Sequence, residues 1–193
     1  MIEPLRDHLR LDAAFNGCPA LLCITGASGA GKTTAVAASR EHIDHRLLPH
    51  IAFDSLGVPT EDEMSRCWDA PRGWQKMMTY HWVYTARQIF RMRPLVVLEG
   101  QFDPQYAIAA CSANRVKHRG ALLDVDDKTR AARLAQRGQP ELATDDMSKW
   151  AAYLVENTRS LGGTIIDASG TPAQVAEALC TLALELVTAN RPE

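Results

Sequence analysis

The stretch "PALLCITGASGAGKTTAVAAS", residues 19–39, constrains the fold of this chain more than any other. Its opening, 19–25, is a short apolar run that reads as a buried strand. Its close, extended to 31–43, is Ala-rich and reads as a helix. Between them Gly26, Gly29 and Gly31 crowd a single turn. Glycine lets a backbone curl so tightly that successive N–H groups point inward and form a nest for anionic oxygens. The dipole of the following helix adds to that field.

Gly26, Gly31, Lys32 and Thr33 satisfy the spacing G-x-x-x-x-G-K-[ST]. The whole loop (Gly26, Ala27, Ser28, Gly29, Ala30, Gly31, Lys32, Thr33, Thr34) is therefore read as a cradle for a nucleoside triphosphate. In such a cradle Lys32 reaches the β- and γ-phosphates. Thr33 offers its hydroxyl to Mg²⁺, and Thr34 serves a phosphate further from the transferred end.

The rest of the chain alternates strand and helix. Strand-like runs follow at 48–54, 94–100, 119–126 and 164–169. Helix-like segments lie at 4–15, 59–67, from Gly73 to 93, and at 103–113, 127–138, 144–163 and 171–187. In the first of these Leu5, Leu9, Leu11 and Phe15 are the candidate buried positions. Thr60 followed by Glu63 has the pattern of a capping box. In the long helix Trp74, Met78, Tyr80 or His81, and Tyr84 or Thr85 recur at helical spacing. Such alternation implies one α/β domain over residues 1–193, with about five parallel strands between helical layers.

Composition removes several classes. At 46% hydrophobic and 23% charged, 193 residues suit a soluble domain with a sizeable core. A net charge of −2 argues against a non-specific nucleic-acid binder. No apolar run approaches the roughly 18 residues of a membrane span, and no uninterrupted apolar stretch marks a signal peptide. Cys18, Cys23, Cys67, Cys111 and Cys180 are scattered and read as reduced thiols of a cytoplasmic protein. His42, His45 and His50 lack convergent spacing and read as solvated. There is no Asn-Lys-x-Asp of a guanine reader. The strand 95–99 ends in a lone Glu99 rather than an Asp-Glu pair. The chain is too short for the extra lid domain of the large ATPase machines.

The ordered set "GASGAGKTT", "FDS", "VVLEGQF", "LLDVDDKTRAARLAQRG" and "IIDASG" resembles the small P-loop kinases, over roughly residues 20–185. That group includes nucleoside monophosphate kinases, gluconate and shikimate kinases, and the phosphotransferases related to chloramphenicol kinase and zeta toxins. The resemblance implies a three-layer α/β/α P-loop NTPase fold with a short lid at about 137–146 and an acceptor-binding helical region at about 55–93. It implies an ATP- and Mg²⁺-dependent phosphotransferase acting on a small-molecule or nucleotide acceptor. No membrane or nucleic-acid partner is expected, and a homodimer stays open.

Roles follow by position. Asp54 would orient the acceptor and take its proton. Glu99 would help hold Mg²⁺ or the acceptor, with Gln101 beside it. Arg130, Arg133 and Arg137, at i, i+3 and i+7, would share a helical face, Arg133 and Arg137 toward phosphate. Their rival role is a solvated face paired with Asp126 and Asp127. Ser169, Gly170 and Thr171 would border the adenine. Arg66 and Arg72, in a segment rich in tryptophan, are candidate acceptor contacts. Two other readings remain: a P-loop ATPase or nucleotide-binding regulator with no small acceptor, whose partner surface would be 55–67, and a toxin-like kinase of a sugar nucleotide.

Overall fold

The computed structural model describes residues 19–40, 48–68 and 70–188. The helix expected at 4–15, Cys18, His42 and His45 lie outside them. The described chain runs β1 (Ala20–Thr25), α1 (Lys32–Arg40), β2 (His50–Ala52), α2 (Glu61–Trp68), α3 (Pro71–Ile89), β3 (Leu95–Glu99) and α4 (Pro104–Asn114). It continues with β4 (Lys117–Asp124), α5 (Asp127–Gln136), a 3-10 turn (Pro140–Leu142), α6 (Asp145–Ser160), β5 (Thr164–Asp167) and α7 (Pro172–Thr188).

The five strands form one parallel sheet in the order β2-β3-β1-β4-β5. Every residue of β1 and β3 is buried, as continuous apolar runs in a covered parallel sheet require. Alternation splits β1 between two cores. Ala20, Leu22 and Ile24 pack with Ala35 and Val36 of α1 and Val175, Leu179 and Ala183 of α7. Leu21 and Cys23 pack with Trp74, Met78 and Trp82 of α3 and Ala107, Ala110 and Cys111 of α4. Ile24 registers with Glu99, Glu99 with Ala52, Thr25 with Leu122, and Asp124 with Asp167. The glycine turn, Asp54, Glu99–Gln101 and the 167–171 loop therefore emerge at one edge of the sheet, where open parallel sheets gather ligands.

Several expectations shift. The buried face of α3 is Trp74, Met78, Trp82, Val83 and Ala86, while Tyr84 is 57% exposed. This helix begins at Pro71, since a missing N–H costs nothing in a first turn. Gly73 belongs to that turn, where an added Cβ would lie 1.8 Å from the Trp68 carbonyl oxygen. The end of α2 thus crosses α3 too closely for any side chain. β4 starts two residues earlier than expected and stops at Asp124. Asp126 leaves the sheet to cap α5, accepting from the Thr129 N–H at 2.9 Å. The capping box forms: the Thr60 N–H donates to Glu63 Oε2 at 2.8 Å and the Glu63 N–H to Thr60 Oγ1 at 3.3 Å. Cys23, Cys67, Cys111 and Cys180 are free thiols. Among the described residues no helix is long and apolar enough to cross a membrane.

Candidate phosphoryl-transfer site

The turn after β1 has the backbone its glycines permit. Gly29 sits at φ +84, and a Cβ there would meet Arg130 Cγ at 2.7 Å and the Arg130 carbonyl oxygen at 2.9 Å. Arg130 thus forms the bed of the loop. It is only 4% exposed, and its guanidinium donates to Asp127 Oδ1 at 2.6 Å and Ser148 Oγ at 3.0 Å. Of the rival reading the Asp127 pairing exists, within α5, although Arg130 is buried rather than solvated; the Ser148 bond ties α5 to α6, and neither bond reaches into the loop.

Lys32, the first residue of α1, folds its ammonium back over the turn, donating to the carbonyl oxygens of Gly26 (2.9 Å) and Ala27 (3.1 Å). Desolvation pulls its pKa down to about 8; Glu99 and Asp54 oppose that pull and Arg137 adds to it. Three residues marked in the sequence, drawn from three segments, therefore act on one ammonium. Asp54 is exposed in the turn after β2, whose Asp54 carbonyl accepts the Gly57 N–H at 2.9 Å.

Glu99 is 4% exposed. A buried carboxylate needs partners, and both oxygens have one. Thr33 Oγ1 donates to Oε1 at 3.0 Å, and His50 Nε2 lies 3.1 Å from Oε2. Burial raises the carboxyl pKa, but His50, Lys32 and Thr33 together outweigh it, so the net shift is downward and Glu99 is ionised at neutral pH. His50 is thus not solvated: it is a strand residue with a side chain 12% exposed.

A hydroxyl and a carboxylate side by side are the hard oxygen donors that Mg²⁺ takes. Among the described residues no group of three or more His, Cys, Asp and Glu could hold a metal alone. Thr33 and Glu99 fit an ion whose remaining ligands would come from nucleotide phosphates and water.

Arg133 donates to the Ala168 carbonyl at 2.8 Å and the Ala30 carbonyl at 3.3 Å, joining the glycine turn to the loop after β5. With Gly31, Thr34, Arg137, Ala168 and Pro172 it lines a groove of about 500 Å³. Arg137 follows the last residue of α5 as its C-cap. The neighbours of Ser169, Gly170 and Thr171 line this groove, while those three are occupied locally. The Ser169 N–H donates to Asp167 Oδ1 (2.8 Å), Gly170 packs against Gln174, and Thr171 Oγ1 caps α7 by accepting from the Gln174 N–H (3.3 Å).

Toward α3 and α4 a neutral relay leaves the loop. Ser28 Oγ donates to Gln101 Oε1 (3.0 Å), Gln75 Nε2 to the Gln101 carbonyl (3.1 Å), and the Asp103 N–H to Gln75 Oε1 (3.0 Å). Asp103 accepts from the Tyr153 hydroxyl and Asn157 Nδ2, both at 2.7 Å. Desolvation and then Asp103 push the Tyr153 hydroxyl up to about 12, so it remains a donor. Arg72 is exposed and acts electrostatically on Tyr153. Arg66 lines a shallow surface depression with Thr60, Asp62, Glu63 and Ser65, which holds none of the other candidate residues. Sequence reasoning missed Gln75, Asp103, Tyr153 and Asn157. Only the i, i+4 spacing of the last two hinted at a shared face.

No protein-family model matches the chain, and no curated protein matches it in sequence. Solved structures do match. A gluconokinase from Sinorhizobium meliloti 1021 aligns with TM-score 0.60 at 17% identity, covering 90% of this chain and 97% of its own. A deoxyadenosine kinase from M. mycoides aligns at 0.56 and 15%, covering 84% and 97%. A shikimate kinase from Aquifex aeolicus aligns at 0.57 and 11%, covering 86% and 96%. The chain has the three-layer fold of the small P-loop kinases. Those three names carry three different acceptors, so the fold does not choose one.

Proposed function

We propose that this protein is an ATP- and Mg²⁺-dependent phosphotransferase acting on a small-molecule or nucleotide acceptor. One observation carries the reading: Lys32 and Thr33 open α1 at the end of the glycine turn, and the Thr33 hydroxyl donates to the buried Glu99 carboxylate at 3.0 Å. A cation, a hydroxyl and a carboxylate thus sit at the turn where a γ-phosphate would lie, with Asp54 and Arg137 near enough to act on the Lys32 charge.

Phosphoryl transfer asks a protein mainly for positioning and charge neutralisation. The N–H groups of the turn hold the phosphate chain, and Lys32 and Arg137 balance charge on the moving phosphoryl group. Asp54 orients the acceptor hydroxyl or phosphate and accepts a proton when the acceptor carries one. Thr33, with Glu99 alongside, would hold Mg²⁺, which would supply further charge neutralisation to the phosphates. Arg133 and the loop after β5 border the nucleotide groove, and Arg130 supports the glycine turn. The Arg72–Gln101 side, with Tyr153, receives the acceptor.

A second reading has its own observation. Leu56 and Val58, in the loop directly after Asp54, are 67% and 58% exposed. A nucleotide-binding regulator would use such a loop to grip a partner protein. ADP release measured across a panel of hydroxylated metabolites and nucleotides separates the two. Turnover that requires one acceptor class supports the kinase; slow ADP release indifferent to every acceptor defeats it and favours the regulator.

A further inference from the structure

The two oxygens of Glu99 face different neighbours, and the bond away from the expected metal has a definite direction. Arg40, in the last turn of α1, places a guanidinium nitrogen against His50 Nδ1. A guanidinium only donates, so Nδ1 must present its lone pair and the ring proton resides on Nε2. His50 Nε2–H then donates to Glu99 Oε2, while Thr33 donates to Oε1. The chain Arg40 to His50 to Glu99 joins α1, β2 and β3, and α1 is the helix that opens with Lys32 and Thr33.

We propose that His50 is a positioning residue for the magnesium site. It fixes the plane of the Glu99 carboxylate so that Oε1 stays at the Thr33 hydroxyl, and Arg40 fixes the tautomer of His50. The metal half of this proposal rests on the kinase reading. Without His50, the 5%-exposed Glu99 side chain would keep one bond and leave Oε2 unpaired, an arrangement that costs enough to make the carboxylate turn or protonate. Partners of this kind govern metal affinity through ligand orientation, while the nucleotide's own grip comes from the glycine turn and Lys32.

The test is calorimetric titration of ATP into the full chain, without metal and over a range of Mg²⁺, for wild type, His50→Leu, His50→Gln and Arg40→Met. In His50→Leu the Mg²⁺ concentration giving half-maximal tightening should rise about ten-fold, with metal-free ATP affinity unchanged within about two-fold. His50→Gln, whose amide N–H reaches Glu99 from nearly the position of Nε2, should recover most of the loss. Arg40→Met should move the same way by less. An unaltered Mg²⁺ requirement in folded His50→Leu overturns the proposal while leaving the kinase reading intact. So does a parallel loss of metal-free affinity, which would mark a merely structural residue. If His50→Leu does not fold, His50→Asn against His50→Gln decides: the shorter amide should lose what the longer keeps, and equal values overturn the idea. A wild type that binds no nucleotide, or binds it without regard to Mg²⁺, sinks the kinase reading and this proposal with it.

Discussion

Lys32 carries a titration with a definite sign. Its folded pKa, about 8, lies below the ordinary 10.5. Below pH 8 the residue is charged in both folded and unfolded chains. Between the two values the unfolded chain holds a proton that the folded protein has released, so this group favours folding increasingly as pH rises through the window. Phosphates on the glycine turn reverse the preference and call the proton back. ATP affinity should hold steady below about pH 8 and weaken above it. At pH 9, titrations in two buffers of different ionisation heat should reveal proton uptake on binding. Lys32→Arg, which stays charged throughout, should show none; equal uptake in that variant would place the titration elsewhere. Asp54→Asn tests the acceptor side. Transfer should fall about a hundred-fold or more while ATP affinity stays at the wild-type value. Near-native transfer would remove Asp54 from the proton's path.

The elements show where sequence is readable. The glycine turn was legible because its residue types and spacing are local. So were the Thr60–Glu63 box and the start of α6 at Thr144, whose hydroxyl accepts from the Met147 N–H at 3.1 Å. Thr60→Ala should cost about 1 kcal/mol, measured by denaturant titration. Gly73 reads in the sequence as a helix boundary, yet its reason is the Trp68 carbonyl of another helix. Gly73→Ala should therefore destabilise by about 1–3 kcal/mol through displacement of α2, whereas helix propensity alone would favour alanine. A stabilised variant would mean that the two helices separate freely. His50 and the Gln75–Asp103–Tyr153 contacts were not legible. Each unites residues from separate segments, and a single His, Gln or Tyr carries no period. The helical-face argument for three arginines also met its limit: Arg130 turns to Ser148, and Arg133 to backbone carbonyls.

At the scale of the molecule, β1 divides the sheet into a half with β4 and β5 and a half with β3 and β2; on the proposed kinase reading the first would border the nucleotide and the second the acceptor. On that reading ATP would bind the folded chain through elements on both sides of that line. At about a hundred times its dissociation constant it should add about 2.7 kcal/mol to folding, read as a rise in Tm. Lys32→Ala should abolish the rise, and a persistent shift would point to nucleotide held elsewhere.

Ser28, Gln101 and Gln75 bridge the two halves by hydrogen bonds between neutral groups. Such a bridge gives the two substrates a shared equilibrium. If seating an acceptor against α3 settles Gln75, the phosphate loop is settled with it, and the factor by which acceptor tightens ATP must equal the factor by which ATP tightens acceptor. Because no formal charge lies along the bridge, raising the salt should weaken each substrate's own binding while leaving that mutual factor in place.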